Sequence, residues 1–262
     1  MDFIAHINPL HALSGLVVGV LVGLTGVGGG SLMTPILVLI FNIHPTTAVG
    51  TDLLYASATK TVGTGVHGFK GTVQWGIVWR LAAGSVPASA LTLWWLSTQG
   101  HGPQIGHLLT LILGIALFVT SAAVLFRKRI VAFFAAHTHG ISAGRTTALT
   151  IILGLVLGVL VSLTSVGAGA LGMTVLLILY PRTEVARLVG SDIAHAVPLT
   201  LLAGLGHWMM GSVDMTLLIS LLAGSIPGII VGSLLAARTP DGILRAVLAV
   251  TLALVAAKLL FF

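Results

Sequence analysis

Long apolar runs recur along this chain, separated by short polar links, and they leave few architectures open. They fall at about 10–40, 47–66, 74–98, 105–126, 146–180, 186–206, 215–236 and 243–262. A helix needs roughly 20 apolar residues to cross a bilayer, and most of these runs supply them. Of the 262 residues, 56% are hydrophobic and 7% are charged. An ordinary soluble domain has roughly 25% charged residues, so this chain lacks the polar side chains to coat a water-soluble globule. The runs are continuous rather than alternating, which argues against an outer-membrane barrel. The sequence therefore predicts an all-α polytopic membrane protein.

Two of the runs, the first and the fifth, are too long for one ordinary span, and each is broken by glycines. The first break is Thr25-Gly26-Val27-Gly28-Gly29-Gly30-Ser31. The second, Thr164-Ser165-Val166-Gly167-Ala168-Gly169-Ala170, comes 139 residues later. The flanks match as well. Gly19 to Thr25 resembles Gly158 to Thr164; then, at a spacing of 140, Gly50-Thr51-Asp52 matches Gly190-Ser191-Asp192. His67 matches His207, Gly71 matches Gly211, and Ala83-Gly84-Ser85-Val86-Pro87 matches Ala223-Gly224-Ser225-Ile226-Pro227. Internal repeats are a common plan for secondary transporters. The division is a first membrane repeat at 1–126, a polar linker at 127–145 and a second membrane repeat at 146–262.

The basic residues set the orientation. If every run crosses once, seven fall on one side and four on the other. If the first and fifth runs are re-entrant hairpins, Lys70, Arg80, Arg127, Lys128, Arg129, Arg145, Arg182, Arg187, Arg238 and Arg245 share one side, and only Lys258 faces them. The second arrangement fits the positive-inside rule far better. It gives two inverted repeats, each a broken re-entrant hairpin plus three transmembrane helices. Both termini then lie outside and the linker in the cytoplasm. Residues 11–24 and 31–43 each have the length of a half-span. Met1 to Leu10 lacks a basic n-region, so the first run is expected to stay rather than be cleaved. Trp75, Trp79, Trp94, Trp95 and Trp208 sit near run ends, as interfacial anchors should.

Glycine-rich breaks at mid-membrane depth have a chemical use. The first N–H groups of a helix lack helical partners and sit at the positive end of its dipole, so a half-helix start binds anions. Glycine permits the turn and lets a ligand approach the backbone. The expected binding residues are Thr25, Gly26, Gly28, Gly29, Gly30 and Ser31 with Thr164, Ser165, Gly167, Ala168, Gly169 and Ala170, helped by Thr51 and Ser191. The plainer reading is close helix packing.

Here the chain resembles a known family. Gly23 to Pro35, followed by Ala48-Val49-Gly50-Thr51-Asp52, looks like the first half of the TauE/SafE sulfite exporter family, and the second half resembles its degenerate copy. The resemblance implies export of sulfite or a small organosulfonate such as sulfoacetate across the bacterial inner membrane. Members differ in substrate, so another small anion such as thiosulfate stays open. In the second copy Thr174 replaces Pro35 and Ala168 replaces Gly29, so the half-sites need not contribute equally.

Asp52 and Asp192 are repeat-matched acids within apolar runs, where ionisable groups are costly and usually functional. His195 follows Asp192 by three residues on the same helical face, and Tyr55 holds the matching place. Coupling to protons through Asp52, Asp192 and His195 is one reading; helix capping and packing hydrogen bonds are the other. Lys60, matched by Thr200, is expected to snorkel to the boundary. His67 and His207 read as interfacial structure. The net charge of +6 follows membrane orientation and does not suggest nucleic acid. There is no cysteine, no histidine set with metal-ligand spacing, and nothing that calls for a cofactor. No hydrolase or His-Glu-x-x-His signature points to an enzyme. The expected partners are a small anion, the bilayer, protons as coupling ion, and a second copy in a homo-oligomer. A passive anion channel or uniporter is the alternative to alternating access.

Overall fold

The computed structural model describes residues 8–25, 30–69, 71–99, 103–135, 142–235 and 241–261. Among them there are eleven helices and no strand. They are α1 (Pro9–Thr25), α2 (Gly30–Leu39), α3 (Pro45–Phe69), α4 (Trp75–Gln99), α5 (Pro103–Leu125), α6 (Arg127–Ala135), α7 (Ala143–Thr164), α8 (Leu171–Leu179), α9 (Val185–Met209), α10 (Met215–Leu235) and α11 (Asp241–Phe261). Both over-long runs are broken, each into a longer arm and a shorter one. The linker is less irregular than its polarity suggests. After one turn residue at Phe126 the helix resumes as α6, which packs against α8.

Among the described residues, Gln104–Leu125, Ala143–Thr164, Val185–Met209 and Met215–Gly232 are long and apolar enough to cross a membrane. α3 and α4 have the length but carry hydroxyls and charges turned inward: Thr51, Asp52, Ser57, Thr59, Lys60, Ser85 and Ser89 are all buried. α7 is longer than a half-span: its 22 residues reach about 33 Å at roughly 1.5 Å per residue.

Both short arms nevertheless turn back. Tyr180, just past α8, shares a 2.8 Å hydrogen bond with Thr150, far down α7 from its C-terminal Thr164. Phe41, just past α2, meets His11 near the start of α1 edge-on, with ring centroids 4.6 Å apart. His11 and Phe41 occupy the repeat positions of Thr150 and Tyr180.

Helix pairing follows the small residues. An added Cβ at Gly15 or Gly19 of α1 would overlap the carbonyls of Leu221 and Ser225 in α10. One at Gly224 or Gly228 of α10 would overlap those of Ala12 and Leu16. α7 packs on α4 in the same way: Gly154 and Gly158 abut the carbonyls of Leu81 and Ser85, and Gly84 abuts that of Ile151. Small residues four apart let backbones approach this closely, which is how membrane helices associate without a hydrophobic driving force between them. In both pairs the contacts advance in step along the two chains, so α1 runs parallel to α10 and α4 to α7.

The other two pairs run antiparallel. Leu54 of α3 packs on Gly204 of α9, while Gly63, further along α3, faces Ile193, earlier in α9. Gly114 of α5 meets Leu260 of α11, and the Ser121 hydroxyl donates to the Ala249 carbonyl at 2.7 Å. Two buried apolar clusters flank the α3–α9 crossing, one around Met33, Tyr55 and Leu221, the other around Leu53, Leu81, Met173 and Leu199.

Candidate functional site

The second break is an ordered, fully buried turn. Ser165 ends α7 in the left-handed region, φ 60°, and its N–H bonds the Val161 carbonyl at 2.8 Å. The Thr164 hydroxyl donates to the Leu160 carbonyl at 2.7 Å and accepts the Val166 N–H at 3.1 Å. Gly167 and Gly169 have φ of 122° and 114°, where side-chain-bearing residues are strained. The Gly172 N–H reaches back to the Gly167 carbonyl. Ala168 and Ala170 complete the turn and are buried, and Ala170 leads into α8 without a side-chain cap.

Of the first break, Gly26, Gly28 and Gly29 lie outside the described residues, as do the side chains of Thr25 and Ser31. Thr25 closes α1 and Gly30 opens α2.

Each short arm faces the aspartate of its own half. Asp52, fully buried on α3, accepts the Thr34 hydroxyl at 2.5 Å and the Thr34 N–H at 3.1 Å through Oδ2. Asp192 on α9 lies against the start of α8: its Oδ1 is 2.7 Å from where a Cβ on Gly172 would sit, and the Gly169 N–H points at the carboxylate. Asp192 thus lies against the first turn of α8, and Asp52 is bonded by Thr34 in the second turn of α2. Gly172 must be glycine to admit Asp192.

Several buried polar atoms here close no hydrogen bond: Asp52 Oδ1, Ser165 Oγ, Asp192 Oδ1, His195 Nδ1 and Tyr55 Oη. Buried polar atoms are nearly always paired, and the exceptions cluster where function is. Ser165, at the second break, lies near Asp52 of the first half, so the two halves interlock at this point. His195 Nε2 is 2.7 Å from Ser85 Oγ on α4. Tyr55 faces Ser225 on α10, the repeat counterpart of that contact. Ser85 and Ser225 belong to the matched Gly-Ser-x-Pro elements, yet sequence reasoning assigned them no partner.

Thr51 and Ser191 are engaged elsewhere. Thr51 Oγ1 accepts the Asp214 N–H at 3.0 Å, and Ser191 Oγ accepts the Gln74 N–H at 2.8 Å. These repeat-matched bonds pin the chain ahead of α10 and α4. His207, in the last turn of α9, is buried, with Nε2 at 2.9 Å from the Ser162 carbonyl; the side chain of His67 lies outside the described residues. A cavity of about 180 Å³ opens beside His207, bordered by Thr46, Leu96 and Ser212; Thr46 precedes Asp52 on α3 by less than two turns. Lys60 lies in α3 with 6% of it exposed. No described cluster of three or more His, Asp or Glu could hold a metal ion.

Broken arms, carboxylates at their starts and matched contacts recur in both halves of one membrane-embedded chain. The family model for the sulfite exporter TauE/SafE family matches residues 11–259. This chain belongs to the TauE/SafE family. Among relatives, it is 39% identical over 235 residues to the "Probable membrane transporter protein YjnA" of Bacillus subtilis strain 168, covering 86% of this chain and 89% of that one. It is 28% identical over 246 residues to "Probable membrane transporter protein YdhB" of the same strain, covering 93% and 96%. A "Probable membrane transporter protein" of Xylella fastidiosa strain 9a5c is 28% identical over 235 residues. No solved structure matches. As a TauE/SafE member, the chain is a multi-pass membrane transporter.

Proposed function

We propose that this chain is a secondary transporter that exports a small anion, sulfite or a small organosulfonate, across the bacterial inner membrane. In this reading the halves are inverted repeats. Alternating access moves them about a central site between the two breaks, with Asp52, Asp192 and His195 linking transport to protons. The family's printed description supports the substrate class. The antiparallel packing of the matched pairs α3–α9 and α5–α11 is what inverted repeats require.

The observation that carries the proposal is the set of unpaired buried polar atoms on Asp52, Ser165, Asp192 and His195. They come from both halves and converge beside an irregular turn of backbone. Irregular backbone at membrane depth is tolerated where it is buried in protein or lines a site.

Counterflow tests this. Proteoliposomes loaded with unlabelled sulfite should concentrate external labelled sulfite transiently, which a carrier does and a channel does not. A folded Gly169→Leu protein, with its strained turn and crowded break, should lose the effect. Absence of counterflow by the wild-type protein with sulfite, sulfoacetate and thiosulfate would overturn the proposal.

A further inference from the structure

The cavity of about 180 Å³ beside His207 lies where α3 and α5 begin and α4 and α9 end. Thr46, Ser97 and Ile105 border it from the first half, His207, Met210 and Ser212 from the second. Trp94, three residues before Ser97, and Trp208, next to His207, are both exposed. Exposed tryptophan marks the membrane–water boundary, so the cavity sits at that level, at the interface of the two halves, with three hydroxyls in its wall.

His207 closes its inner end. The imidazole is fully buried, and its Nε2–H donates to the Ser162 carbonyl at 2.9 Å, two residues before the end of α7. Behind it buried hydroxyls continue inward. Ser162 Oγ lies 2.7 Å from Ser89 Oγ, and Ser85, one turn earlier on α4, lies 2.7 Å from His195 Nε2. His195 Nδ1 is one of the unpaired atoms of the central site. At the matching places the first half has Gly23 for Ser162 and Ile229 for Ser89, so this polar line lacks a counterpart in the other half.

We infer that this cavity is the vestibule by which a small polar solute passes between water and the central site, and that the His207 side chain is the gate at its floor. What lies beyond the gate rests on the reading of the central site above. Because the walls come from both halves, the motion that exchanges access also widens or shuts this opening.

The absence of cysteine makes accessibility a direct test. Single cysteines are placed in the full chain in oriented vesicles and treated with the impermeant reagent sulfonatoethyl methanethiosulfonate. Ser97→Cys and Met210→Cys should react, and Ile152→Cys, exposed on the apolar face of α7, should not, because lipid covers it. Ser162→Cys should react at least tenfold faster when combined with His207→Ala, and stay slow with His207→Gln, whose amide can keep the bond to the carbonyl. Unreactive Ser97→Cys and Met210→Cys proteins would overturn the vestibule. An unchanged rate at Ser162→Cys in folded His207→Ala protein would overturn the gate. Neither result depends on which solute is carried, so a protein that moves no sulfur anion would overturn the anion reading while these arms still decide the vestibule.

Discussion

At the residue scale the informative contrast is between Asp52 and Asp192. Both are buried on matched helices and both face the start of a short arm. Asp52 receives two donors from Thr34, one of them the hydroxyl at 2.5 Å, whereas Asp192 leans on glycine backbone. A hydrogen bond to a charged group contributes about 1.5–3 kcal/mol. Thr34→Val should therefore lower stability by about that amount, read from thermal unfolding in detergent, while Thr174→Val should cost less because its hydroxyl bonds only the Ala170 carbonyl of its own helix. Equal losses would mean that Thr34 does not hold Asp52. The two acids and His195 were legible in the sequence from their matched placement in apolar runs. Thr34, Ser85 and the burial of Lys60 were not, because each depends on which helix lies opposite. The signal for Ser85 was present, since it is repeat-matched to Ser225 inside a motif with no other use.

At the element scale the pairs α1–α10 and α4–α7 are joined by glycines against backbone carbonyls. Gly15 and Gly19, Gly154 and Gly158, and Gly224 and Gly228 each sit four apart, a spacing visible in the sequence. Spacing says that a face is narrow but not which helix fills it. That each long arm packs on the other half emerges only from the three-dimensional contacts. Gly154→Leu would drive a side chain into the Leu81 carbonyl. Overpacking costs about 1–3 kcal/mol, and backbone cannot yield as a side chain does, so the loss should lie at the upper end. Gly144→Ala, in the same helix with nothing within 4 Å, should leave the melting temperature unchanged or raise it slightly. Comparable destabilisation by both would contradict the packing described. The break after α7 and the left-handed turns at Gly71 and Gly211 were foreseeable from glycine alone. The first turn of α7 was not, because Ala143 to Arg145 read as linker by polarity while forming helix.

At the scale of the whole molecule a hairpin in the first run fixes which loops share a side. If the first run is a hairpin, as the His11–Phe41 contact suggests, single cysteines at Asn8 and Asn42 should react with an impermeant reagent from the same side of oriented vesicles. Opposite-side labelling would mean that the run crosses.

The most direct measurement is flux in proteoliposomes with sulfite, thiosulfate, sulfoacetate, sulfate and a neutral control, each with and without an imposed pH difference. The account predicts saturable flux of sulfite or a sulfonate that changes with the pH difference, and loss of that response when Asp52 and Asp192 are replaced by Asn. Flux of no sulfur anion, by protein shown to be folded, would contradict it.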